Sequence, residues 1–484
     1  MLWERLKSSA ILILIVNLIY MTSHLWFFNQ NHSLSDEMVR YFRTVPIVEK
    51  FFPIKQEYSI SKENLSKPRK FLINDGSLWM AYYNTDIGFS PIEQRTKKIL
   101  TGFLEGNITA SKQIDYKTWE AGLESMSIYV EYPVAFSLDM FSRIMGTDSA
   151  NLPDGVNTFR EFIIIPSSSE TNICILIRDA EDDSLIYAYI LDDTHALPAS
   201  DLAVYTSNDG YYEPVFSTGL ELGPDSKVSL SPLVLFSDSQ PSTDVLVARD
   251  LITETTKNNL LESFSFNTVA ANPYKDTFGA LNYIANYASA KIYPDSVFEY
   301  TAIEESKGII LDESGDAYNV LNASIDFAEK TWGTVSKEPL SILVTSDLSG
   351  YDSSKPYTFR FDYYESGRPI EVSLPENYGH SAMNCAIEMT VSNGRLISYK
   401  QYMRSYRNVS ENTISDTFVT ALDSFVQVIN SDPVISQTVI DDIYIGYLDS
   451  GKEDRINATW LAQTSDGKIY RYAENTEVVN NALD

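Results

Sequence analysis

An internal repeat with a period near 100 residues constrains this chain more tightly than any other feature of its sequence, because a supersecondary unit used twice leaves few architectures open. Lys291-Ile-Tyr-Pro-Asp-Ser-Val-Phe-Glu-Tyr300 aligns with Thr390-Val-Ser-Asn-Gly-Arg-Leu-Ile-Ser-Tyr399. In each, one arm meets a turn pair, Pro294-Asp295 or Asn393-Gly394, and a second arm ends in tyrosine. Asn-Gly is a strong hairpin signal because both residues accept positive φ. An amphipathic helix follows in both copies. Tyr318, Leu321, Ile325, Ala328 and Trp332 share a face in the first, and Phe418, Leu422, Phe425 and Ile429 in the second. Strands are expected at 340–345 and 443–448, and each copy closes on a hairpin turning at Ser366-Gly367-Arg368 or Asp466-Gly467-Lys468. The tyrosines lie 99 residues apart and the turn glycines 100. The expected fold class is therefore α+β, with a hairpin, helix, strand, hairpin unit used twice and each helix packed across a curved antiparallel sheet. The competing reading is two unrelated α+β stretches, since short turn signals recur in any such chain.

The repeat units occupy 246–368 and 369–484 of the 484 residues, and at about 150 residues per domain the chain has room for roughly three folded units. Ahead of the repeat, 70–245 reads as an N-terminal α+β ectodomain. Ser90-Pro91-Ile92-Glu93 has the form of a capping box, and Ile92, Thr96, Ile99, Leu100 and Phe103 continue at helical spacing until Gly106. Further helices are expected from Tyr116 to Glu124 and from Ser137 to Gly146, with strands at 127–132, 162–165, 173–177 and 185–191.

Residues 10–28 (AILILIVNLIYMTSHLWFF) are an apolar run near the length that spans hydrocarbon as one helix. Arg5 and Lys7 precede it, which keeps residues 1–9 in the cytoplasm and places the rest of the chain outside. A cleaved signal peptide would end in small residues, whereas this run ends in Leu25-Trp26-Phe27-Phe28, so an uncleaved anchor is expected. Asn17, Tyr20 and His24 fall at i, i+3 and i+7 and share a polar face, which would dock on another membrane helix. Against that, Tyr20 and His24 would simply reach the outer interface while Asn17 bonds to its own backbone. Residues 29–69, with Phe51-Phe52-Pro53 and Lys67-Pro68-Arg69-Lys70 but no sustained period, read as a juxtamembrane stalk.

Lys and Arg number 37 and Asp and Glu 66, a formal charge of −29, so phosphate backbones would be repelled and nucleic-acid binding is excluded as a function class. Two cysteines rule out a disulfide framework or a four-cysteine zinc site, while leaving one bridge open. Cys174 and Cys385 read as small core residues. His195, after Asp192-Asp193-Thr194, and His380, beside Ser381, read as exposed loop residues, without an HExxH pair or a G-x-S-x-G elbow. Phosphate-binding glycine motifs are absent. The acidic turns at 312–316, 347 and 352 lack the spacing of a calcium loop. No catalytic, metal or cofactor residues are expected. Tyrosine is in excess at 31 copies, and Tyr363-Tyr364 and Tyr399 to Tyr402 would serve either as binding platforms or as half-buried strand residues.

The anchor at 10–28, the stretch from Leu260-Leu261-Glu262-Ser263-Phe264 to Tyr300 and the segment YTFRFDYYESGRPIEV at 357–372 together resemble the YycH (WalH) family, accessory proteins of the cell-wall-sensing two-component system of low-GC Gram-positive bacteria. Residues 386–402 are similar to a strand pair of the related YycI proteins. The resemblance implies a protein without a catalytic site that acts through contact. Its membrane helix, together with a YycI-like partner, would bind the transmembrane helices of a sensor histidine kinase. It supplies no point motif, so Asn17, Tyr20 and His24 remain the expected interface. The alternative is an extracellular module holding cell-wall glycan or peptide on its Tyr-rich sheets.

Overall fold

A continuous apolar run, Phe71-Leu72-Ile73, follows Lys70, and the first strand begins there too. The computed structural model describes residues 60–472, apart from short internal stretches of which 207–214 is the longest. Helix α1 (Ile60–Asn64) is followed by β1 (Lys70–Asn74) and β2 (Trp79–Tyr83). Helix α2 (Phe89–Leu104) buries Ile92, Thr96, Ile99, Leu100 and Phe103, the face expected from their spacing. Its start differs from expectation. Gly88 is the N-cap, no side chain caps the helix, and Ser90 and Pro91 lie inside the first turn. Proline is tolerated there because first-turn N–H groups lack helical partners. Phe89 packs 4.8 Å from Phe71, which draws the helix start ahead of Ser90.

Strand β3 (Ile108–Ile114), helix α3 (Tyr116–Glu124), β4 (Ser127–Ser137), α4 (Leu138–Ile144), β5 (Thr158–Pro166), β6 (Ile173–Arg178) and β7 (Ile186–Leu191) complete this part. Asp115 and Ser137 cap α3 and α4 by accepting from Thr118 N and Met140 N, which relieves orphan donors of the first turns. The strands form a seven-stranded sheet in the order β2-β1-β4-β5-β6-β7-β3, antiparallel throughout. One face enters the main core with α2 and α4. The other buries Leu72, Tyr129, Ile163, Leu176 and Ile186 against Trp119 of α3. Helix α5 (Ala199–Thr206) covers the edge at β2, where Tyr82 donates to the carbonyl of Tyr205.

The second half contains β8 (Ser242–Asp250), α6 (Lys257–Ser263), β9 (Tyr274–Lys275), β10 (Leu281–Ile284), β11 (Ala288–Ile292) and β12 (Val297–Ala302). It continues with α7 (Ala317–Gly333), β13 (Ile342–Val344), β14 (Tyr357–Glu365), β15 (Arg368–Val372), β16 (Ile387–Ser392) and β17 (Arg395–Tyr402). Last come β18 (Arg404–Thr413), α8 (Phe418–Ser431), β19 (Thr438–Asp449), β20 (Arg455–Asn457), β21 (Thr459–Thr464) and β22 (Ile469–Arg471). Hairpin, helix, strand and hairpin thus recur in the same order. The residues turning the closing hairpins, 366–367 and 466–467, lie outside the described residues.

The aligned first turns differ. Asn393 and Gly394 take φ of 48° and 69°, a two-residue turn, and a Cβ on Gly394 would meet the Asp312 carbonyl oxygen at 1.9 Å. Proline cannot take positive φ. In the first copy the left-handed residue is therefore Ser296, at φ 65°, and the loop is longer.

The main sheet runs β9-β10-β11-β12-β17-β16-β14-β15-β19-β21-β22. The first hairpin of the second copy is thus inserted between the two hairpins of the first. Tyr300 sits directly opposite Tyr399 across β12 and β17, so the aligned residues flank a local two-fold axis. The symmetry is incomplete. Strand β16 borders β14 of the other copy, but β11, its counterpart, borders β10 instead of β21. The sheet is mixed instead of antiparallel throughout, because β15 and β19 run parallel. Phe264, just past α6, fills the centre, with Phe298, Tyr300, Phe327 and Tyr399 rings 4.7, 5.1, 5.2 and 5.2 Å away. Beside this sheet, β18, β8 and β20 form a three-stranded one.

Candidate interaction site

Residues 60–70 belong to the folded body, and the sequence reading placed all but Lys70 of them in a stalk. From Ile60 onward that expectation is corrected. Ser61 Oγ donates to Leu340 O at 3.3 Å and Asn64 Nδ2 to Ile342 O at 3.3 Å, while Lys62 pairs with Asp326 of α7 at 2.6 Å. These contacts clip α1 onto the first repeat copy. Helix propensity over five residues is too weak to order such a segment, so tertiary partners hold it.

Arg69 and Lys70 then enter a buried charged node. Lys70 Nζ lies 3.0 Å from Glu131 of β4 and 3.6 Å from Asp442 of β19; Arg69 Nη2 lies 2.6 Å from Asp442, and its guanidinium stacks over the Tyr444 ring at 4.7 Å. Arg160 reaches Glu131 at 3.4 Å, and Arg69 Nη1 donates to Gln463 Oε1 at 3.2 Å. Asp442 and Lys70 are almost fully buried, and burying such charges is tolerable only because each faces its opposite. Burial alone would lower the Arg69 pKa, but Asp442 first and Glu131 next outweigh it and hold the guanidinium charged. Burial likewise pushes Glu131 up, yet Lys70, Arg160 and Arg69 together bring it down to about 2. The node therefore ties Arg69 and Lys70 to the N-terminal sheet and to the second copy at once.

A pH dependence follows. A carboxylate whose folded pKa is depressed stabilises the fold above its unfolded pKa and loses that contribution as pH falls through the folded value. From the ordinary value of 4.5 down to about 2, the stability advantage of the native protein over Glu131→Gln is expected to shrink progressively. Urea midpoints of both proteins at pH 6, 4 and 2.5 check this, and a pH-independent difference would refute it.

The second charged cluster centres on His380, which the sequence placed in an exposed loop. It is buried. Its Nε2 lies 2.8 Å from Asp295 Oδ2 and its Nδ1 2.7 Å from the Ser381 carbonyl, with the Tyr293 ring edge-on at 5.1 Å. Lys400 Nζ donates to Ser381 O at 2.7 Å and to Ser381 Oγ at 2.8 Å. Burial holds the Lys400 ammonium below the ordinary lysine value, although Glu388 and Glu299 face it across the strands. The loop between β15 and β16, bridged at Leu374–Met383, is thereby pinned over the first hairpin. His380 is buried because the two copies close on each other there, a long-range event without a local signal. Both ring nitrogens are engaged by Asp295 and a carbonyl, and Lys400 holds both the carbonyl and the hydroxyl of Ser381, an arrangement that fastens the loop.

Of the tyrosines expected to serve as platforms or strand residues, Tyr364 is half-buried and the others are interior. Tyr363, Tyr399 and Tyr402 are buried, packed under α7 or bonded within the core: Tyr363 donates to the Tyr402 carbonyl, and Arg404 donates to Tyr402 OH at 2.9 Å. Cys174 and Cys385 are free thiols. Burial pushes Cys174 up to about 11 and Cys385 well above its ordinary value. The acidic turns serve the backbone: Asp312 accepts from Ser314 N at 2.8 Å, and Asp316 caps α7 and pairs with Arg143.

The segment 10–28 expected to anchor the chain, with Asn17, Tyr20 and His24, and also His195, lie outside the described residues. Among the described residues no helix is long and apolar enough to cross a membrane. Sequence reasoning missed Lys70, Glu131 and Asp442. The available signal was that Lys70 directly abuts the apolar Phe71-Leu72-Ile73, so a strand starting there carries its side chain on a covered face.

The chain is similar in fold to the crystal structure of YycH from Bacillus subtilis, with a TM-score of 0.54 and 12% identity over 88% of this chain and 98% of that one. No protein-family model matches the sequence, and no curated protein does.

Proposed function

We propose that this chain is a membrane-anchored extracytoplasmic accessory protein that regulates a sensor histidine kinase of a cell-wall-homeostasis two-component system, through contacts of its membrane helix and its ectodomain. The observation that carries this reading is the shared fold over 88% of this chain and 98% of YycH, which extends the motif-level resemblance along nearly the whole molecule. The N-terminus is cytoplasmic, residues 10–28 form the anchor, and the bulk of the chain is outside. Asn17, Tyr20 and His24 face the kinase helices, and a YycI-like membrane protein shares the site. Residues 60–70 give the body a route to that anchor, since they are clipped to both repeat copies and to the N-terminal sheet. A change in the body alters the kinase only if its arrangements differ in affinity for what they contact.

Replacing 10–28 by an uninterrupted leucine span is expected to abolish the effect on a kinase-dependent reporter while the protein remains in the membrane. Asn17→Leu with His24→Leu is expected to reduce co-purification of the kinase. Normal signalling by the leucine span would overturn the reading.

A further inference from the structure

Lys70 is the most deeply buried lysine among the described residues, and it faces two carboxylates that are interior as well. Glu131 stands directly across from it in the β1–β4 register, and Asp442 arrives from β19, 372 positions further along the chain. The other interior lysine, Lys400, donates to Ser381 instead. Asp442 is the anomaly in this node. Arg69 and Lys70 approach it at 2.6 and 3.6 Å, yet neither of its buried oxygens receives a well-directed hydrogen bond. Buried polar atoms are nearly always satisfied, and one that is not calls for a chemical reason.

We propose that Lys70 and Asp442 join in an intramolecular amide, in which Lys70 Nζ bonds to the side-chain carboxyl carbon of Asp442 with the loss of one water. The ion pair described above is the reactant of this step. An ammonium and a carboxylate hold between them all the atoms of an amide and a water, so no oxidant or co-reactant is needed. Burial would lower the Lys70 pKa, but Asp442 and Glu131 outweigh it and keep the ammonium charged, so a base must act first. Glu131, held ionised 3.0 Å from Nζ, takes one proton and frees the nitrogen lone pair to attack. As the N–C bond forms, the carbonyl electron pair moves onto Oδ2, where the Arg69 guanidinium at 2.6 Å stabilises the added charge. Glu131 hands its proton to Oδ1 and then relays a second one from the nitrogen while the C–Oδ1 bond breaks. Water leaves with two of the three ammonium protons, the third stays on the amide, and Glu131 ends ionised as it began.

Two features favour the product. Reactants held together in one site behave as if at effective concentrations of about 10⁵ M or more when well oriented. Replacing a buried ion pair by a neutral group also removes the desolvation cost that the two charges carry. The retained oxygen still faces Arg69, now as an amide carbonyl. The bond would join the first strand of the N-terminal sheet to the second repeat copy, so tension on the residues ahead of Lys70 passes into β19 through a covalent link.

Peptide mapping of the full-length protein, unfolded and then digested, tests the proposal. A branched peptide joining the Lys70 and Asp442 segments is expected, lighter by one water than its two linear peptides together. Lys70→Arg keeps a cation in the node and is expected to give linear peptides alone. Glu131→Gln removes the proton carrier and is expected to cut the branched fraction in freshly synthesised protein by about tenfold or more. Glu131→Asp restores a carboxylate and is expected to recover part of that yield, with the far-ultraviolet circular-dichroism spectrum of both variants unchanged. Linear peptides alone from the native chain, a branch at another residue pair, or equal yields from the native chain and Glu131→Gln would overturn the proposal.

Discussion

Asp442→Ala is expected to lower the unfolding free energy by about 3–5 kcal/mol, the cost of removing one partner from a buried ion pair. Asp442 lies under Arg69 and Lys70 at 2.6 and 3.6 Å; Lys70 is sealed from water and Arg69 is mostly covered. Without Asp442, Lys70 and Arg69 would lose their shared counter-charge and Glu131 would be the remaining carboxylate in ion-pair reach of both. The penalty arises from the cations left behind more than from the lost attraction, because a desolvated charge without a counter-charge is the expensive state. Urea denaturation measures the loss, with Asp326→Ala as the comparison. Asp326 also pairs with a lysine but at an exposed site, where such a pair contributes no more than about 1 kcal/mol. Equal effects of the two substitutions would show that the node is not a buried tie. Hydrogen exchange gives a second reading: amides at 60–70 are expected to lose protection in Asp442→Ala ahead of those in β5 and β6.

Tyr399→Ala is expected to cost about 3–5 kcal/mol, the range for deleting a fully buried ring. The ring packs among Phe264, Phe298 and Phe327, and its hydroxyl donates to Gln401, whose carbonyl would be left without that donor. Tyr399→Phe keeps the ring and is expected to cost only about 0.5–1.5 kcal/mol, the net worth of one hydrogen bond. Because Tyr399 lies at the joint between the repeat copies, its loss is expected to lower the midpoint of both halves together, read by tryptophan fluorescence for Trp332 and Trp460. Separate shifts would mean that the copies unfold independently.

Helix identity was legible because a 3.6-residue period is a local property. Ile92 to Phe103, Leu321 to Trp332 and Phe418 to Ile429 each showed a stripe that the core covers. The hairpins were legible from Asn393-Gly394, whose φ values require that pair. The capping box at Ser90 misled, since the pattern was present but a buried Phe89 moved the start. The mixed character of the sheet was illegible for a different reason: whether β15 lies parallel or antiparallel to β19 depends on the route the chain takes through β16, β17, β18 and α8 before it returns to pair with β15. His380 shows the same limit, because its partner Asp295 is on the other copy and no neighbouring residue announces it.

The sequence by itself determined the α+β class, the long amphipathic helix of each repeat copy, the strands flanking it, and the excess of acid, all set by short-range periodicity, turn chemistry and composition. Only the tertiary structure decided that the copies interleave, that Tyr300 meets Tyr399, and that Lys70, Asp442 and His380 are interior. A side chain is polar or apolar wherever it stands. Whether a charge can leave water depends on an opposite charge arriving from far along the chain, and that is a property of the assembled fold.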